Sequence, residues 1–234
     1  MRSLLGSHRT AISSRLEPRL TQFDYIILSD LRASIARAVD SITGRILDYG
    51  CGQKPYRPLF TGDAGYEGAD FPGNPHADWT LDVRGHLPAE LTATFDAIVS
   101  FQVLEHVPNV SAYLQECRRV LRPDGQLLLT THGIWEYHPG PYDVQRWTME
   151  GLIRILESHR FETLRCEAIT TRLRSLLQQL QILIRDCRVP GRRFATCALN
   201  LLAAFCPRST AAVDDQGSLA ICYLYLGRKK VLPC

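Results

Sequence analysis

A chain of 234 residues with 45% hydrophobic and 22% charged content has room for one α/β domain plus an appendage, which excludes two sizeable domains and an unfolded chain. The net charge of +3 makes no case for nucleic acid, and the longest apolar stretch, 194–206, is 13 residues broken by Asn200, too short to span a bilayer. The eight cysteines form no CxxC pair and several sit in apolar runs, so neither a zinc site nor a disulfide framework is expected, and a reducing, cytoplasmic setting is.

Residues 1–22 read as an N-terminal extension. Its first twenty residues are rich in Arg and Ser with Glu17 as the one acid, the composition of a solvated helix or of a transit peptide. Phe23, Ile26, Ile27, Leu31, Ile35, Ala38 and Ile42 recur at helical spacing, which predicts an amphipathic helix over 23–42, stopped at Thr43-Gly44. Strands are predicted at 45–49, 64–70, 77–83 and 95–100, then a helix carrying Val110, Tyr113, Leu114, Cys117, Val120 and Leu121. Pro123-Asp124-Gly125 predicts a turn into a buried strand at 126–131. Thr148 is placed to cap a helix through Ser158, with Trp147 and Leu152 as a hydrophobic staple. Strands follow at 161–169 and 218–227. Strands alternating with helices imply a parallel sheet covered on both faces.

Between the last two strands, residues 172–208 hold seven arginines and one acid, Asp186. Leu173, Leu176, Leu177, Leu180, Leu183 and Ile184 share one helical face, and Phe194, Cys197, Ala198, Leu201 and Phe205 another. The pattern predicts a helical hairpin whose apolar faces are covered, as a lid or homodimer surface, or else dip into an anionic membrane. Without aromatic interleaving, no nucleic-acid partner is expected.

The chemistry concentrates at Ile46-Leu47-Asp48-Tyr49-Gly50-Cys51-Gly52, where a strand ends on an acid and two glycines allow a tight bend beneath a ligand. Asp70 follows Gly52 by eighteen residues, at the end of the second strand, placed to accept both ribose hydroxyls of a nucleoside. This pairing fits nicotinamide-dependent oxidoreductases as well. The stretches at 46–52, 66–71, 81–83, 95–107 (FDAIVSFQVLEHV) and 118–131 (RRVLRPDGQLLLTT) together resemble the class I S-adenosylmethionine-dependent methyltransferases, in particular their small-molecule and glycan-pathway members, over about 45–170. LEHV and RVLRPDG are not features of dinucleotide enzymes.

The resemblance implies a Rossmann-like, doubly wound seven-stranded α/β sheet of order 3-2-1-4-5-7-6 with the seventh strand antiparallel, a methyltransferase domain over 23–234 and a helical insertion at 172–213. It implies S-adenosyl-L-methionine as cofactor and S-adenosyl-L-homocysteine as product. Asp48 would orient the methionine ammonium; Gly50, Cys51 and Gly52 would line methionine and ribose. Asp70 would hold the ribose with Phe71 against adenine, Asp82 and Val83 would sit at the adenine edge, and Phe101 and Gln102 would close the site. The usual third glycine is absent, the run being Gly52-Gln53-Lys54-Pro55-Tyr56.

Methyl transfer needs alignment and exclusion of water more than it needs an acid. For a hydroxyl acceptor the candidate bases are His106, His132 and His138, which follow strands four and five. Tyr142, Asp143 and Arg146, in the loop 136–148, could grip a polar small-molecule or sugar acceptor, including a lipid-linked glycan. The rival readings are a cofactor-binding module without catalysis and a nicotinamide-dependent oxidoreductase.

Overall fold

The computed structural model describes residues 15–61, 65–140, 142–186, 190–208 and 219–230. Much of the N-terminal extension, Arg188, residues 209–213 of the insertion and Ser218 therefore lie outside the described residues.

Seven strands, β1 (Ile46–Tyr49), β2 (Tyr66–Asp70), β3 (Trp79–Thr80), β4 (Phe95–Phe101), β5 (Leu121–His132), β6 (Phe161–Ala168) and β7 (Cys222–Lys229), form one sheet of order β3-β2-β1-β4-β5-β7-β6. All neighbours are parallel except β7, which runs antiparallel to both β5 and β6. Successive residues alternate between two cores. Leu47, Ile98, Leu127 and Leu129 join one cluster, while Ile46, Ala97, Val99 and Leu128 join the other. That period of two is what a sheet covered on both faces requires.

On one face lie α2 (Val110–Val120), through Tyr113, Leu114, Cys117 and Val120, and α3 (Met149–Ser158), through Leu152 and Leu156. On the other lies α1 (Tyr25–Ala38), through Ile27, Leu31, Ile35 and Ala38. Thr148 Oγ1 accepts from the Gly151 N–H at 3.1 Å, capping α3, and Trp147 and Leu152 join the same core. The expected cap and staple are both present.

Four expectations need correction. The third strand shrinks from 77–83 to two residues, because Asp82 starts a tight turn: Gly85 N donates to Asp82 O and Asp82 N to His86 O, each at 2.9 Å. The turn at Pro123-Asp124-Gly125 is a bulge within β5. Pairing breaks between Phe95↔Leu121 and Ala97↔Gln126, with Asp124 at φ +60°. The last strand starts at Cys222, because the stretch before it serves loops instead. The Ile221 and Ala220 carbonyls accept from Gly133 and Ile134, and Ile221 N donates to Thr170 Oγ1.

The fourth correction is the largest. α4 (Arg172–Asp186) and α5 (Arg192–Phe205) form the expected pair, but within the chain most of their apolar stripe is left uncovered, Leu177 excepted. Leu173, Leu176, Leu180 and Leu183 are 42–60% exposed, and Phe194 and Phe205 more than 80%. The buried side of α4 is Arg174, Ser175, Leu177, Gln178, Gln181 and Ile182. Arg174 explains the inversion. Its guanidinium is fully buried and makes two bonds, of 2.6 and 2.7 Å, to the Asp30 carboxylate of α1. Gln178 bonds Phe23 O and Ile27 N, and Gln181 Nε2 reaches Asn200 Oδ1 at 2.6 Å. A buried charge must meet its partner, and this outweighs the leucine stripe in choosing the face. Part of the basic charge is also paired: Arg174 and Arg208 with Asp30, Arg185 with Glu136 and Asp186. Among the described residues no helix is long and apolar enough to cross a membrane.

Candidate active site

β1 and β4 end side by side, and the chain leaves them in opposite directions, which opens a crevice at their carboxyl ends. A cavity of about 360 Å³ occupies it, lined by Asp48, Gly50, Cys51, Gly52, Gln53, Pro55, Phe101, Gln102 and Arg15. Gly50 has φ +79°, and a Cβ there would lie 2.7 Å from Val103 Cγ2. Only glycine fits. Gly52 also has positive φ, but open space stands where its Cβ would be, so the chain leaves room on the ligand side. Gly50 N and Cys51 N both donate to Ala69 O, at 2.9 and 3.0 Å, tying the bend to β2. Gln53 and Pro55, standing where a third glycine is usual, are part of the wall.

Asp48 is buried, and its Oδ2 accepts from the Tyr66 hydroxyl at 2.7 Å. Burial pushes its carboxyl up to about 7. No partner for Oδ1 is present among the described residues. A carboxylate that faces a cavity with an oxygen to spare suits a cationic group. Asp70 at the end of β2 accepts from Gly52 N at 3.0 Å and from Asn74 Nδ2 at 2.7 Å through Oδ2, and from Phe71 N through Oδ1. The strand-end acid and the glycine bend thus meet directly. Gln102 closes β4 at φ +59°, a conformation uncommon for a side-chain-bearing residue, with its amide held by Thr130 Oγ1 at 3.0 Å.

Asp70, Phe71, Asp82 and Val83 lie outside the lining of this cavity, Asp70 touching it only through its bond to Gly52. Phe71 is half exposed and Val83 is 94% exposed. Asp82 Oδ1 accepts from Arg84 N and His86 N, both at 2.8 Å, which holds its carboxyl below the usual range. Its immediate work is to build the turn.

The three histidines converge. His138 sits edge-on to both His106 and His132, with ring centroids 5.0 and 4.8 Å apart. His132 is buried beneath Trp135, stacked at 5.5 Å, and burial drives its pKa down to about 3, so it is neutral. His138 is the more open, with its side chain one-third exposed, and burial with it still lowers its pKa. The His106 Nδ1 donates to the Tyr142 carbonyl, and the Tyr142 ring is exposed. Asp143 and Arg146 face each other in a two-pronged ion pair, and Arg146 also donates to Glu136 O at 2.9 Å. Arg146 holds the Asp143 carboxyl far below its ordinary value, and Asp143 Oδ2 accepts from His138 N at 3.0 Å. This pair shapes the loop and leaves little of either group for an acceptor.

Two residues absent from the sequence reading belong here. Arg15 enters the cavity wall from the N-terminal extension, and only the folding of that segment over the crevice could reveal it. Glu105, fully buried, lies between β4 and the histidines. An acid inside the apolar run Val103-Leu104-Glu105-His106-Val107 was the signal available for it.

Residues 22–182 match the methyltransferase-domain family. A ubiquinone biosynthesis O-methyltransferase of Xanthomonas oryzae pv. oryzae is 41% identical over 54 residues, 23% of this chain and 23% of that protein. The mitochondrial ubiquinone biosynthesis O-methyltransferase of Bos taurus is 31% identical over 108 residues, 37% of this chain and 28% of that protein. The chain thus matches about a quarter of the length of these relatives. Among solved structures, the [4+2]-cyclase SpnF aligns with a TM-score of 0.53 at 20% identity, covering 86% of this chain and 83% of its own. Phosphoethanolamine N-methyltransferase 2 of Haemonchus contortus, in complex with S-adenosyl-L-methionine, aligns at 0.52 and 14%, covering 94% and 60%. These likenesses are of fold, and a cyclase among them shows that the fold leaves the reaction open. Sheet order, glycine crevice and family match agree: the chain belongs to the class I S-adenosylmethionine-dependent methyltransferases.

Proposed function

We propose that the chain transfers the methyl group of S-adenosylmethionine to a hydroxyl oxygen of a small-molecule or sugar acceptor. The observation that carries this reading is the buried Asp48 carboxylate facing the glycine-lined cavity, with the Asp70 carboxylate bonded to the same bend. The first suits the methionine ammonium and the second the ribose hydroxyls; Arg15 stands where it can meet the methionine carboxylate. The cofactor brings both the methyl group and a good leaving group. The chain's own residues have to hold the acceptor in line, keep water out and help ionise the hydroxyl. The imidazoles of His106 and His138, both only partly buried, are the groups for that last service, since burial leaves His132 too weak a base. Relatives named as O-methyltransferases favour oxygen as the attacked atom, over their short matches.

Calorimetry with S-adenosylmethionine tests the cofactor half: the intact chain binds it, and failure to bind would refute the reading. Release of S-adenosylhomocysteine with phenolic, sugar and lipid-linked acceptors tests the other half. His138→Ala lowers turnover while cofactor affinity stays unchanged; equal loss of both would make the loop scaffold.

The exposed faces of α4 and α5 favour an acceptor met at a lipid surface. Leucines and phenylalanines in such number, with exposed Arg192 and Arg193 beside Phe194, have the character of a surface that dips into an anionic bilayer. Co-sedimentation of the intact chain with anionic vesicles is the expected result, and none would end this part of the reading.

A further inference from the structure

We propose that Glu105, His132 and His138 form a site for one divalent cation of the zinc, cobalt or iron(II) class. One ligand-capable atom of each lies within 4.8 Å of the other two. Glu105 is fully buried; its Oε2 accepts from Thr131 Oγ1 at 3.0 Å, but its Oε1 has no hydrogen-bond partner. His132 Nε2 stands 3.3 Å from that oxygen without the alignment of a hydrogen bond. A bare carboxylate oxygen in a protein interior is costly, and coordination to a cation is one of the few ways to satisfy it.

The imidazoles are oriented as ligands are. His138 Nδ1 donates to the Glu136 carbonyl at 3.2 Å, and His132 Nδ1 meets Cys222 Sγ at 3.1 Å. With Nδ1 of each ring engaged, Nε2 is the nitrogen left over, and in His132 it is the atom 3.3 Å from Glu105, the arrangement by which outer partners fix metal-binding histidines. The nearby Arg146 is held in a two-pronged ion pair with Asp143, which offsets part of its charge. One carboxylate and two imidazoles favour zinc, cobalt or iron(II) over magnesium or calcium, which prefer all-oxygen sites.

Three protein ligands leave a position open for an oxygen. The Cys222 thiol also reaches Gln102 Oε1, at 3.6 Å, and Gln102 lines the cofactor cavity, so the site adjoins it. A hydroxyl bound at the open position would lose its proton more readily, to His106, since His138 would then serve as ligand and not as base. Only this last role rests on the methyl-transfer reading; the cation site does not. Neither the cysteine spacing nor the resemblance pointed to a metal.

The test uses the full chain, stripped of metal by a chelator, with neither cofactor nor acceptor present. Titration with Zn²⁺ by calorimetry and with Co²⁺ by visible absorption should each show one equivalent, with Co²⁺ developing a d–d band. His138→Gln, at a partly exposed position, should keep the melting temperature of the metal-free chain. It should lose at least the roughly 10–100-fold in affinity that even outer-shell partners are worth. Glu105→Gln should show the same loss. A folded chain that takes up no Zn²⁺, or a His138→Gln variant that binds it as tightly as the original, overturns the proposal whatever the cofactor titration shows.

Discussion

The crevice beyond β1 and β4 and the helical pair α4–α5 both bury polar side chains, but they use them differently. In the helical pair the polar groups satisfy one another. Both Asp30 oxygens are engaged by Arg174, Arg208 adds a 3.2 Å contact, and Asn200 donates to Leu20 O and Gln22 O, with Gln181 Oε1 the exception. In the crevice and the histidine cluster next to it, buried acids keep bonding capacity in reserve, at Asp48 and at Glu105 Oε1. A saturated buried network holds elements together, whereas an unsaturated one is set for a ligand. Burial of polar residues alone cannot separate these two cases. Counting their bonds can.

That contrast is most open to challenge at Arg174. Replacing it by Met should leave Asp30 buried without its main partner and destabilise the fold by about 3–5 kcal/mol in urea unfolding. A cost near that of a surface change would mean the inverted helix face is not set by this pair. In the crevice the effect should fall on ligand instead. Asp70→Ala should weaken S-adenosylmethionine binding by about 1–3 kcal/mol by calorimetry. Unchanged affinity would place the ribose elsewhere.

Asp48 sharpens the comparison through pH. Burial raises its folded pKa to about 7 from an ordinary value of 3.8, so the folded state holds a proton that the unfolded chain gives up. Its contribution to stability is therefore present below pH 3.8 and is lost as pH rises toward about 7. Binding a cationic ammonium requires the ionised form, so cofactor affinity should rise between about pH 6 and 8, with proton release on binding. Titration in two buffers of different ionisation enthalpy measures that release. Asp48→Asn should abolish it, and an unaltered proton count would remove Asp48 from the ammonium site.

The smallest stability effect belongs to the exposed leucines. Leu176→Ser with Leu180→Ser should change unfolding free energy by no more than about 0.5 kcal/mol each, the range for surface positions. The same pair should reduce co-sedimentation with anionic vesicles. A large loss of stability would show that the stripe is covered, most simply by a second copy of the chain.

Much of this fold could be read from local signals. The glycine bend, the acid at the end of β2 and the cap at Thr148 each depend on a few neighbouring residues whose backbone demands are specific. The strand order followed from the resemblance carried by those same stretches. Asp82 shows what such reading leaves open. A strand-end acid looks alike in sequence whether it faces a ligand or bonds the two N–H groups just after it. The histidines were legible one by one, as residues following β4 and β5, but not as a cluster. Their meeting depends on how the loop 136–148 is pinned by Asp143 and Arg146.

The order of residues by itself determined which side chains share a helix face, where the chain can bend and which strands end in acids, because those properties arise within a few residues of one another. Only the tertiary structure decided which face of α4 turns inward, that Arg15 reaches the cavity and that Glu105 meets two imidazoles. Each of those outcomes depends on partners distant in the chain, and a buried charge is placed by the partner it finds.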